Sequence, residues 1–202
     1  MMTTHVPEGI DQATVDDVRA HEADRSRELA AQGHLLRLWR PPLQPGEWRT
    51  LGLFAAGTAG ELEDVLASMP LRVWRTDEVT PLSPHPNDPA RPQRPDGTPE
   101  FLVSYTITVP EGTPAEVVEE LKVREAARVR ELTEQGRVLR LWRPPPAPGA
   151  WRGLGLWRAR DAAEVSAAVA SLPLYDWFTV EITPLSPHPN DPRGRDTGRL
   201  TG

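Results

Sequence analysis

Residues 101–109, FLVSYTITV, are rich in β-branched and aromatic side chains with apolar positions at every second residue, the pattern of a strand with one buried face. The period then changes. After EGTPAE, Val118, Leu121, Glu125, Val129 and Leu132 recur at spacings of three and four, which predicts one long helix with Pro114 near its first turn and Gly136 near its end. Strand patterns return at residues 138–143 (VLRLWR) and 151–159 (WRGLGLWRA), on either side of a proline-rich turn. A short helix from about Asp161 to Ser171 and a last strand over residues 174–185 complete the series. Strand, helix, strand, strand, helix, strand predicts an α+β fold, a ferredoxin-like βαββαβ unit with both helices on one face of an antiparallel sheet.

The series is written twice. Sliding the chain against itself by 103 positions pairs residues 1–90 with 104–193 without a gap, and roughly half of the pairs are identical. LRLWRPP stands at 36–42 and 139–145, and the proline-rich decapeptide TPLSPHPNDP stands at 80–89 and again at 183–192. The expected organisation is a first repeat over residues 1–89, a linker over 90–100, a second repeat over 101–193 and a flexible tail over 194–202. The first repeat lacks counterparts of Phe101 to Val103, so its first strand is expected to be shorter. The open face of each sheet needs covering, and the second repeat supplies a partner, so an intramolecular pseudo-dimer is the simplest closure.

Composition narrows the function. The chain of 202 residues is 38% hydrophobic with seven Trp, enough for real cores, and its 23 prolines mark turns. No cysteine is present, which removes disulfides, thiolate catalysis and thiolate metal sites. A net charge of -6 argues against nucleic-acid binding, which needs a clustered basic surface. Neither a membrane span nor a secretory signal is read from the sequence, so a cytoplasmic location is expected.

The candidate chemistry lies on the long helices. Val15, Val18, Glu22, Ser26 and Leu29 share one face in the first repeat, as Val118, Leu121, Glu125, Val129 and Leu132 do in the second, so a carboxylate stands inside each apolar stripe. A buried carboxylate must be protonated, paired or turned to a polar cavity. It is either an acid/base or half of a structural ion pair, with a strand arginine such as Arg40 or Arg143 as partner. Arg19 and Lys122, three residues earlier, are close enough to share a ligand with it, and Lys122 is the chain's only lysine. Trp48 and Trp151 are candidate substrate contacts, although the Trp residues are read chiefly as core. Gly52, Gly153 and Gly155 interrupt bulky strands and are read as bulges, with room for a ligand as the alternative. His85 and His188 sit in the proline-rich arms, and the other three histidines all lie in the first repeat, so no metal site is expected.

Taken together, the helix motif E-x(10)-G, the strand LRLWR, the LPL before the last strand and the terminal PLSPHP resemble the muconolactone Δ-isomerase family. The resemblance runs through almost all of both repeats. It implies a dimeric α+β barrel-like arrangement, here as two family-like subunits fused head to tail, with each arm reaching over its neighbour and higher homo-oligomers possible. It further implies cofactor-free transfer of a proton within an unsaturated lactone or enone, Glu22 and Glu125 as acid/base, and Lys122, Arg40 and Arg143 as cations holding the small-molecule substrate. Arg19 departs from the family's lysine, and Trp48, Leu51, Trp151 and Leu154 stand near positions where the family carries a Tyr or His. The second repeat is therefore the expected site of activity. Two other readings stand beside it: a non-catalytic small-molecule-binding or assembly protein of the same fold, and, on fold analogy, a cofactor-independent monooxygenase or cyclase.

Overall fold

The computed structural model describes residues 1–89 and 97–193. Most of the expected linker, residues 90–96, and all of the expected tail, residues 194–202, lie outside the described residues.

The first repeat forms β1 (Met2–Thr4), α1 (Gln12–Ala31), β2 (Leu35–Arg40), β3 (Arg49–Phe54), α2 (Ala59–Ala67), a 3-10 turn (Pro70–Trp74) and β4 (Arg75–Asp77), followed by a two-residue strand β5 (Ser83–Pro84) in its arm. The second forms β6 (Glu100–Ile107), α3 (Ala115–Glu134), β7 (Val138–Arg143), β8 (Trp151–Arg158), α4 (Ala162–Ala170), a 3-10 turn (Tyr175–Trp177) and β9 (Phe178–Pro187). Both repeats are α+β and follow the expected βαββαβ order, with a first strand of three residues against eight. The last strand starts later than its apolar pattern suggested, because residues 175–177 tighten into the 3-10 turn. Local chemistry fixes the helices. Asp11, Thr58 and Asp161 cap α1, α2 and α4 by accepting from the amides of Thr14, Glu61 and Glu164, and Gly33 and Gly136 follow the long helices at φ 80° and 76°.

The described residues divide into two compact units, one of residues 1–79 with 186–193 and one within residues 80–185. Each therefore joins the body of one repeat to the arm of the other. In the first unit the antiparallel order is β4, β1, β3, β2, and Ser186 and Pro187 extend it by pairing with Arg40 and Trp39 of β2. In the second the order is β9, β6, β8, β7, and β5 pairs Ser83 with Arg143 and Pro84 with Trp142. The core of the first unit collects Leu29, Leu35, Leu38, Val65, Leu66 and Met69. That of the second collects Val129, Leu132, Val138, Leu141, Trp157 and Val169. Each such side chain contributes about 1.5–3 kcal/mol when fully buried.

A bulge at matching points, between Leu35 and Arg37 and between Val138 and Arg140, sets how each arm is gripped. The Arg37 guanidinium donates to both oxygens of Asp191 at 3.2 and 3.1 Å, and the Leu38 amide donates to the same carboxylate at 3.0 Å. Arg140 and the Leu141 amide hold Asp88 in the same way, at 3.1 and 2.6 Å. Within each arm the histidine closes a turn: Nδ1 of His188 accepts from the Asn190 amide at 3.1 Å, and His85 does the same for Asn87. The decapeptide thus contains both the turn and the acid that anchors it.

The strand glycines are not bulges. Leu38 faces Gly52 and Leu141 faces Gly155 in regular register, and Gly153 faces Tyr105. A Cβ on Gly52 would overlap Phe54 and Met2, one on Gly155 the Trp157 ring, and one on Gly153 the Tyr105 ring. They are vacant because neighbouring aromatic rings lie across them.

Candidate active site

In the first unit, α1 and the strands enclose a cavity of about 330 Å³, lined among others by Glu22, Arg19, Arg40, Trp48, Arg75 and His188. All four first-repeat residues proposed from the sequence, Glu22, Arg19, Arg40 and Trp48, meet there. The sequence reading missed Arg75 and His188. Arg19 lies over the Trp48 ring at 5.5 Å and pairs loosely with Asp16 at 3.7 Å. Arg40 is exposed and has no carboxylate partner among the described residues.

The expected ion pair of Glu22 with Arg40 is not formed. Glu22 Oε1 instead accepts from Arg75 at 3.1 Å and Oε2 from the Leu71 amide at 2.8 Å, so both oxygens are engaged. Arg75 is buried and also pairs with Asp77 at 2.7 Å. The reason is depth: Arg75, at the start of β4, is as buried as the glutamate, whereas Arg40 points to solvent. Burial raises the Glu22 carboxyl above its ordinary range, and the Leu71 amide and Arg75 pull it back. His188 is pushed down to about 4, by burial and by the nearby Arg40 and Arg19 guanidinium groups. With Nδ1 accepting from Asn190, its neutral ring carries the proton on Nε2.

The second unit repeats this plan with different neighbours. Glu125 Oε2 accepts from the Leu174 amide at 3.0 Å, the counterpart of the Leu71 contact. No cation pairs with Glu125 among the described residues, Arg143 included, because Phe178 stands where the other repeat has Arg75 and Val180 where it has Asp77. Only that amide opposes burial, and the carboxyl is pushed up to about 7. Tyr105 stacks on Phe178, 5.2 Å between centroids and 13° between planes, and its hydroxyl is raised by burial and by Glu125. Arg143 is near enough to act on both Tyr105 and His85. Lys122 Nζ lies 4.6 Å from the centre of the Trp151 ring and donates to Glu119 at 2.7 Å. Glu125, Lys122, Arg143 and Trp151 thus occupy the matching positions of the second unit, His85 matches His188, and Tyr105 and Phe178 are additions. These two carry a sequence signal only at the offset of 103, where Tyr105 answers Met2 and Phe178 answers Arg75.

The Trp residues divide. Trp39, Trp142 and Trp157 are core, whereas Trp48 is half-buried and Trp151 exposed. Among the described residues no three His, Asp or Glu side chains come together as metal ligands would, and no helix is long and apolar enough to cross a membrane.

The family model for muconolactone delta-isomerase matches residues 1–88 and again 100–191. The chain belongs to the muconolactone delta-isomerase family. Muconolactone delta-isomerase 1 of Acinetobacter lwoffii is 30% identical over 93 residues, 46% of this chain and 94% of that protein. The enzyme of Cupriavidus pinatubonensis is 30% identical over 86 residues, 43% of this chain and 90% of its own. Each relative is thus the length of one repeat, and the family's unit occurs here twice. Among solved structures, a heme-binding protein of Thermus thermophilus aligns over 97% of this chain and 92% of its own with a TM-score of 0.59 and 13% identity, a likeness of fold alone.

Proposed function

We propose that the protein is a cofactor-free isomerase that moves a proton within muconolactone or a related unsaturated lactone or enone, with Glu125 as the acid/base. The supporting observation is the state of that carboxyl: one oxygen held by the Leu174 amide, the other without a partner among the described residues, and a proton affinity raised to about 7. Such a group takes a proton beside a conjugated carbonyl and returns it elsewhere with little bias either way near neutrality. Lys122 and Arg143 hold the substrate carboxylate and offset charge as the dienolate forms. Trp151 supplies an apolar wall under the Lys122 ammonium. Glu22, Arg19, Arg40 and Trp48 are the matching set in the first unit. We place the activity in the cytoplasm, with higher homo-oligomers of the chain as part of the reading.

The test is the ultraviolet absorbance of muconolactone incubated with the full chain. Wild type is expected to turn it over, Glu125→Gln to lose at least ~100-fold in kcat/KM, and Lys122→Met to raise KM more than it lowers kcat. A wild-type chain that binds muconolactone without converting it would replace this reading with the binding-protein one.

A further inference from the structure

The two glutamates are equivalent by position and unlike in surroundings. Both oxygens of Glu22 are occupied, and its partner Arg75 is tied in turn to Asp77. Glu125 keeps one oxygen unengaged among the described residues and lies near Tyr105, whose ring stacks on Phe178. The lining differs in the same sense: Met2, Ser26 and Thr50 line the first unit's cavity where the second unit has Tyr105, Val129 and Gly153. Besides Arg75, two guanidinium groups line the cavity: Arg19, with only the loose Asp16 contact and the Trp48 ring, and Arg40, with no carboxylate partner among the described residues. Its volume of about 330 Å³ is at the small end of small-molecule sites.

We infer that the first unit is a separate binding site for a compact carboxylate-bearing molecule, held by Arg19 and Arg40, in which the Glu22 to Arg75 pair is structural and carries no proton transfer. The chain then has two ligand sites and one turnover site. Freeing Glu22 as a base would break its contacts to Arg75 and the Leu71 amide and leave the buried Arg75 with one carboxylate, Asp77, in place of two. The anionic class follows from the cations: a carboxylate can pair with both guanidinium groups, whereas a neutral ligand gains no charge-assisted hydrogen bond from either. The assignment of turnover to the second unit rests on the isomerase reading; the existence of the first site does not.

The experiment uses the full chain and the saturated analogue of muconolactone, which keeps ring and carboxylate but lacks the double bond. Calorimetry on wild type is expected to give two sites per chain. Arg40→Ala, a change at an exposed side chain, is expected to weaken one site at least ~10-fold and leave a single tight site. One site in wild type, or two in Arg40→Ala, would overturn the proposal, as would butyrolactone, the uncharged ring, binding as tightly as the acid. Turnover of muconolactone by Glu125→Gln separates the two claims. A residue of less than about one hundredth of wild type is expected, whereas about half would mean that Glu22 turns over as well. No turnover in wild type, with two analogue sites intact, would remove the isomerase reading and keep the second site.

Discussion

At the scale of single residues, the chemistry depends on how a buried carboxyl is solvated. Glu125 is protonated in folded and unfolded chain alike at low pH. Between the ordinary value of 4.5 and about 7 the unfolded chain ionises first, so stability falls as pH rises through that window and levels off above it. Glu125→Gln removes the fall. Urea denaturation above pH about 8 should find the variant more stable than wild type by about 1–3 kcal/mol, with no difference in acid. His188 has the opposite sign. Its folded value of about 4 lies below the ordinary 6.5, so the stability it confers is present above 6.5 and lost as pH falls toward 4. Removing the Arg40 charge should move the His188 titration upward, read from its ring proton resonance by NMR; an unmoved titration would mean that Arg40 does not act on the cavity. That each glutamate turns inward on its helix was legible from the sequence, because a carboxylate repeated inside an apolar stripe lies on the face that packs. What balances each was not, since Arg75 lies 53 residues from Glu22 and reaches it only because the 3-10 turn before β4 packs against α1.

At the scale of elements, two devices decide the geometry: the arm clamp and the ring laid over a glycine. Asp191 and Arg37 are almost fully buried, so Asp191→Ala leaves a guanidinium without its main carboxylate and should cost about 3–5 kcal/mol. Asp88 and Arg140 are partly exposed, and Asp88→Ala should cost less, about 1–3 kcal/mol. Chemical denaturation of the two variants measures the order, and equal losses would contradict the burial argument. Gly155→Ala drives a methyl into the Trp157 ring and should cost about 1–3 kcal/mol on the same measurement. Strands and helices were legible because their periods differ and their caps are explicit at Asp11, Asp161, Gly33 and Gly136. The glycines were misread as bulges because sequence does not reveal which cross-strand ring covers them. The real bulges fall at the start of LRLWR, where an arginine between two leucines gives no local sign that its partner is an aspartate of the distant arm.

At the scale of the whole molecule, a duplication visible in the letters of the sequence accounts for most of the architecture. It explains the paired βαββαβ bodies, the two matches to one family, and the repeated decapeptide, whose copies each complete a unit built on the other repeat. Fusion into one chain also lets the copies differ while remaining in fixed proportion. Arg75 against Phe178 and Met2 against Tyr105 are among the places where they have done so. The central claim is that Glu125 is the proton-transferring group, and the most direct measurement is the pH dependence of kcat/KM for muconolactone with wild type and Glu125→Gln. As the base must be ionised to take the first proton, the wild-type value should rise with pH and level off above about 7, while the variant stays at least ~100-fold lower with no rise there. A wild-type profile flat through 7, or a variant that keeps both rate and profile, would contradict it.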